Sequence, residues 1–214
     1  MDFLTEIRRP IEEELKQYKL LFDSTLTHDD PFLGSVLDYL RRRNGKMMRP
    51  ILVLLIAKEL GAVNDCALRA AVTLELLHTA SLVHDDVVDE SNKRRGQASI
   101  NAVYDNRVAV LLGDYLLSAS LHQSALSGDI RVVDIIARLG GTLSEGEIFQ
   151  IENIRNEEVS EAAYFRIINH KTAALFAACS QLGAIAGGGS EEFIARARKL
   201  GELVGICFQI RDDI

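Results

Sequence analysis

The sequence contains no tryptophan, only three prolines and only three cysteines in 214 residues, and aromatics make up 6%. So little proline and aromatic content argues against an all-β sandwich or barrel, whose turns and strands draw on both. Cys66, Cys179 and Cys207 are odd in number and far apart, with no CxxC pair. A disulfide framework and a zinc knuckle are therefore not expected, and a reducing, cytoplasmic location is. An apolar leader is missing as well. MDFLTEIRRPIEEELK is charged from its second residue, so no signal peptide is visible. Positive charge is in deficit, with a formal net charge of −7. Non-specific nucleic-acid binding is not expected of such a chain. An anionic substrate would need local basic groups or metal ions to overcome the imbalance.

Long uncharged runs are scarce. Thr172 to Ser190 carries no formal charge and is long enough to span a bilayer. It consists mostly of small residues and ends in Gly187-Gly188-Gly189. The expected reading is a buried helix of a large bundle, not a membrane span.

What is present is apolar and helical. Hydrophobic residues reach 48% and charged residues 26%, enough for a packed core. Pro50 fits the first position of a helix. Gly61 stops that helix, and Asn64 or Asp65 starts the next. Gly128-Asp129 and Gly189-Ser190 repeat the arrangement. The periodicity predicts helices over 3–22, 33–43, 50–60, 65–90, 99–106, 107–126, 129–152, 158–187 and 190–214. No strand-like alternation, repeat or linker competes, so one all-α domain over 1–214 is expected. Its last segment is still apolar and periodic at Ile214, with no glycine, asparagine or proline to stop it. The sequence therefore reads as truncated at its C-terminus.

Chemistry concentrates in Leu74 to Gly96. Asp85, Asp86, Asp89 and Glu90 fall within six residues at the end of an apolar helix. Asp85 and Asp89 are one turn apart, where like charges repel, and they face the negative end of the helix dipole. Hard oxygen ligands of this kind suit Mg²⁺, which takes one or two carboxylates plus phosphate oxygens and water. The alternative is a solvated acidic helix end balanced by Lys93, Arg94 and Arg95. A second pair, Asp212-Asp213, follows the apolar Phe208-Gln209-Ile210 and Arg211. Lys46 and Arg49 precede a helix N-terminus, a ready anion site, or else they continue the basic loop of Arg41-Arg42-Arg43. Lys171 and Thr172 interrupt an apolar helix, where a lysine needs a partner unless it snorkels to the surface. His78 lies nearly two turns before Asp85 on the same face. It could donate to an anion or be a satisfied core histidine.

Three functions fit a helical bundle with such clusters. A carboxylate-bridged di-iron protein needs two Glu-x-x-His pairs, and only Glu75-Leu76-Leu77-His78 is present. A non-catalytic helical subunit that regulates or scaffolds a partner is a second reading. The third uses every cluster at once: two aspartate clusters around one diphosphate, two basic clusters around another, and an apolar cavity for a hydrocarbon tail.

That third arrangement resembles the all-trans polyprenyl diphosphate synthases. The motifs GKMMRP, HDDVVDES-NKRRG, HKTA and FQIRDD stand in the family's order over nearly the whole chain. The resemblance implies the isoprenoid synthase fold, a helical bundle with a central apolar cavity. It also implies a homodimer and several Mg²⁺ ions, about three per site once substrate is bound. It implies metal or catalytic roles for Asp85, Asp86, Asp89, Asp212 and Asp213. Lys46, Arg49, His78 and Arg95 resemble the isopentenyl diphosphate site. Arg94, Lys171, Thr172, Gln209 and, near the metal site, Gln150 resemble groups contacting the allylic diphosphate. Two departures stand out: Asn44 replaces the first glycine of the family's GGK, and the third aspartate of the second motif is absent.

Product length is read from the helix below the first cluster. Ala80 and Ser81 lie about one turn below Asp85, with Leu77 and Leu74 deeper. Small residues there leave a tunnel open, or merely allow close helix packing. The resemblance reads them as the long-chain type, octaprenyl, heptaprenyl or solanesyl, for quinone side chains; the alternative is a short-chain farnesyl or geranylgeranyl synthase. Association with a membrane surface for product release is a further expectation.

Overall fold

The computed structural model describes residues 3–42, 45, 47–94, 96–157 and 160–214. Lys46, Asn44 and Arg95, and with them part of both expected basic clusters, lie outside the described residues.

The chain enters through α1 (Phe3–Arg8) and α2 (Glu12–Thr25), joined by a tight 3₁₀ turn over Arg9–Ile11. The expected single helix over 3–22 is interrupted there because Pro10 supplies no N–H and crowds the preceding turn. Then come α3 (Pro31–Arg41), α4 (Met48–Glu59) and α5 (Asp65–Val88). Helix α4 starts two residues earlier than expected, with Pro50 still in the first turn, where a missing N–H costs nothing. Asn64 is the cap of α5, accepting from Ala67 N–H at 2.9 Å.

Beyond α5 a minimal hairpin was not anticipated: β1 (Lys93–Arg94) pairs antiparallel with β2 (Gln97–Ala98), Arg94 opposite Gln97. Gly96 turns it with φ +78°. Helices α6 (Ile100–Tyr104), α7 (Asn106–Leu126), α8 (Ile130–Arg155) and α9 (Glu161–Ile168) follow. Asp129 and Ser190 cap α8 and the last helix, as the sequence signals indicate. The expected helix over 158–187 is divided: α9 passes through one π-helical turn, Asn169–Ala173, into α10 (Ala174–Ala186). Helix α11 (Glu191–Asp213) closes the chain.

Helix α5 runs through the middle, packed by α2, α4, α7 and α10. By length and composition alone it could cross a membrane, yet most of its apolar surface is covered by those neighbours. The uncharged α10 is buried along nearly its whole length, between α4, α5, α8 and α11. Small residues let it be enclosed so tightly. A Cβ on Gly183 would stand 2.6 Å from Val53 O on α4, and one on Gly201 of α11 would stand 2.3 Å from Phe176 O. The helical, nearly strand-free architecture agrees with the all-α expectation.

Candidate active site

A cavity of about 1260 Å³ opens between α5, α7, α8, α10 and α11. Of the residues singled out in the sequence, Arg49, Leu77, His78, Ala80, Ser81, Asp85, Arg94, Lys171, Thr172, Gln209 and Asp212 line it. Five separate stretches of sequence thus converge on one space.

Asp85 is a strongly perturbed carboxyl at the cavity. Its pKa is pushed up to about 6, first by burial, then by the Glu147 carboxylate opposite and by Asp89; Lys171 and Arg94 act against the shift. Asp89 ends α5 in the exposed turn and donates its N–H to Asp85 O at 2.8 Å. Asp86 departs from expectation. Its carboxylate is buried, 1% exposed as a residue, and accepts from Arg94 Nε at 2.7 Å. It faces a second, smaller pocket between α2, α3 and α5 instead of the main cavity. Adjacent residues on a helix diverge by about 100°, so Asp85 and Asp86 point to different neighbours. Arg94 reaches both spaces, and the β1–β2 hairpin is what turns it back toward α5.

The π turn presents Lys171 and Thr172 to the cavity, an irregularity common at functional sites. Lys171 Nζ lies 2.6 Å from Glu147 Oε1 and donates to Gln150 Oε1 at 2.8 Å. It is anchored to α8 and does not snorkel. Gln150 itself is behind Lys171, outside the cavity lining. The close approach depends on Gly146, where a Cβ would meet His170 Cβ at 2.7 Å. Thr172 Oγ1 donates to Gln209 Oε1 at 2.8 Å. Gln209 Nε2 donates to Asp213 Oδ1 at 2.9 Å, and Tyr164 Oη donates to Asp213 Oδ2 at 2.7 Å. Asp213 is therefore engaged between α9 and α11, while its neighbour Asp212 lines the cavity.

Sequence reasoning missed three groups of residues. Glu147 carried no signal beyond its place in Gly146-Glu147-Ile148-Phe149-Gln150. Tyr164 sits seven residues before Lys171 with nothing local to mark it. The far wall comes from α7 and α8: Leu117, Leu121 and Ile136, with Ala137, Gly140, Gly141 and Ser144 on one face of α8. Small residues at that i, i+3, i+4, i+7 spacing are legible in the sequence as an open helix face. Leu74, expected deep in the tunnel, is instead fully buried in the core.

Among the described residues, no three histidine, cysteine, aspartate or glutamate side chains converge into a ready-made metal shell. Mg²⁺ does not require one, because it keeps waters and shares its remaining positions with substrate phosphates. Asp85 and Asp212 offer hard carboxylate oxygens to the same cavity. Burial first, and then repulsion from Glu147 and Asp89, raises the Asp85 pKa, and the repulsive part is the kind that a cation relieves.

The polyprenyl synthetase family model matches residues 30–214. The chain is 35% identical over 211 residues to the octaprenyl diphosphate synthase of Haemophilus influenzae, covering 99% of this chain and 64% of that one. Among solved structures, the geranylgeranyl pyrophosphate synthase from Bacteroides thetaiotaomicron is 47% identical with a TM-score of 0.84, covering 100% of this chain and 64% of that one. The decaprenyl diphosphate synthase from Rhodobacter capsulatus is 36% identical with a TM-score of 0.93, covering 98% and 65%. The chain thus spans less than two thirds of the length of these relatives, 64–65%. A five-stretch cavity, the ordered motifs and this match over nearly the whole sequence lead to one assignment: the chain belongs to the polyprenyl synthetase family.

Proposed function

We propose that the protein is a Mg²⁺-dependent trans-prenyltransferase that condenses isopentenyl diphosphate with an allylic diphosphate and makes a long polyprenyl chain. One observation carries the reading: a single cavity is charged at the Asp85, Glu147, Lys171 and Asp212 end and apolar along Leu77, Ala80, Leu117, Leu121 and Ile136. A diphosphate and a hydrocarbon tail fit opposite ends of such a space.

In this reading Asp85, Asp89 and Asp212 would hold the Mg²⁺ that polyprenyl synthetases generally use, which would offset the negative charge developing on the leaving diphosphate. Asp86 and Asp213 do not share that task, since each is spent on a protein partner. Lys171 and Arg94 add positive charge beside the allylic diphosphate, and Arg49, with Lys46, His78 and Arg95, serves isopentenyl diphosphate. The allylic C–O bond breaks with its electron pair on the diphosphate. The isopentenyl double bond then attacks C1, and a proton leaves to the departed diphosphate. No protein nucleophile takes part. The apolar wall keeps water from the cation. A homodimeric, cytoplasmic enzyme supplying quinone side chains completes the reading.

A second reading, a geranylgeranyl-length product, is favoured by the 47% identity to a geranylgeranyl pyrophosphate synthase. Small Ala80 and Ser81 and the open α8 face favour the longer chain. The test is to incubate the full-length protein with farnesyl diphosphate, isopentenyl diphosphate and Mg²⁺ and to chromatograph the products. Absence of any elongation would overturn the proposal, and a product stopping at geranylgeranyl diphosphate would replace the long-chain part of it.

A further inference from the structure

We infer that Tyr164 is a positioning residue for the diphosphate site. Acting through Asp213, it fixes the Gln209 amide so that Gln209, not Thr172, is the neutral hydrogen-bond donor offered to the allylic diphosphate. The inference rests on the prenyltransferase reading above.

The argument is one of donors and acceptors. Tyr164 Oη, Asp213, Gln209 and Thr172 form a continuous relay of three side-chain hydrogen bonds, at 2.7, 2.9 and 2.8 Å. It joins α9, α11 and the π turn. An ionised carboxylate can only accept. Asp213 therefore takes the Nε2 end of Gln209, and the carbonyl Oε1 is left to face Thr172. Thr172 has a single hydroxyl proton, and it is committed to that carbonyl. Diphosphate oxygens also only accept, so Thr172 has no proton to give them while the relay is closed. Gln209 has two amide protons and spends one on Asp213. The other belongs to a side chain that lines the cavity. Its direction is set by the two bonds that hold the amide plane. Tyr164 stabilises that arrangement from the far end by occupying Asp213 Oδ2, which leaves Oδ1 for Gln209. Nothing else among the described residues is seen to hold the Asp213 carboxylate.

A double-mutant cycle tests this. Binding of an unreactive allylic thiodiphosphate with Mg²⁺ is measured by calorimetry on the full-length protein, Tyr164→Phe, Gln209→Ala and the double variant. Tyr164→Phe should weaken binding about three- to tenfold. In the Gln209→Ala background the same change should cost less than about twofold. Phenylalanine keeps the ring beside Phe165, with centroids 5.5 Å apart. Should that variant not fold, Asp213→Ala removes both acceptor oxygens, cuts the relay one bond further along and should show the same coupling to Gln209. Equal losses in both backgrounds, or no loss in either, would overturn the inference. Wild-type protein that shows the coupling but elongates no allylic substrate would defeat the prenyltransferase reading and leave the relay standing.

Discussion

Lys171 Nζ bridges Glu147 and Gln150, 2.6 Å from one side-chain oxygen and 2.8 Å from the other. One ammonium thereby ties consecutive turns of α8 to the π turn, across the cavity from Asp85. It also places a carboxylate, Glu147, where it works against the ionisation of Asp85. The site is charged in a way that does not balance on its own.

That imbalance has a measurable sign. Asp85 has an ordinary pKa of 3.8 and a folded value of about 6. The folded protein holds this proton more tightly, so between those values stability falls as pH rises. Metal-free Asp85→Asn should therefore melt at a higher temperature than the wild type at pH 8. The advantage should shrink as pH falls through 6 toward 3.8. Thermal melts in chelator across that range check it, and a less stable variant at pH 8 would show that Asp85 is not under the strain described.

Asp86 and Asp85 should separate by mutation. Asp86→Ala removes the carboxylate that holds Arg94 Nε and should lower stability by about 1.5–3 kcal/mol, the range for a hydrogen bond to a charged group. The Mg²⁺ concentration giving half-maximal turnover should stay unchanged. A raised Mg²⁺ requirement with unchanged melting would return Asp86 to the metal site.

Product length should respond to bulk below the acidic end. Ala80→Tyr and Ser81→Phe each fill the cavity wall on α5 and should shorten the product while leaving the rate of the first condensation largely intact. Chromatography of the products decides it. An unchanged long product from both variants means that the chain passes along α8 instead.

Gly201→Val should be severe. Its Cβ would stand 2.3 Å from Phe176 O and 2.5 Å from Ser180 Oγ, so α11 must move off α10. Overpacking of this kind costs about 1–3 kcal/mol. Urea titration should show a lower midpoint, and allylic binding should fall with it, because Gln209 and Asp212 ride on α11.

Much of this was legible in the sequence. The helices announced themselves through periodicity and caps at Asn64, Asp129 and Ser190, and Asp85, Arg94, Lys171 and Asp212 were identified by residue type and spacing. The opposed directions of Asp85 and Asp86 were available too, from the helical turn alone. The break at Pro10 was legible but passed over. The π turn was not, because i→i+5 bonding uses the same residues as an α-helix and depends on what packs around it. Glu147 and Tyr164 were hidden for a related reason. Their partners lie 24 and 49 residues away, and the approach of α8 is set by the missing side chain of Gly146.

The π turn at Asn169–Ala173 amounts to a one-residue surplus stored in the middle of a long helix. Such a surplus cannot be given up quietly. Relaxing this turn into a continuous α-helix with every residue kept would rotate everything on one side of it by about 100° relative to the other. Either Lys171 would swing away from Glu147, or Gly183 would lose its place against Val53 and a larger neighbour would be driven into α4. Recognition at one end of the helix and close packing at the other are thus counted on the same ruler, and the length of that ruler is as much a specification of this protein as any side chain on it.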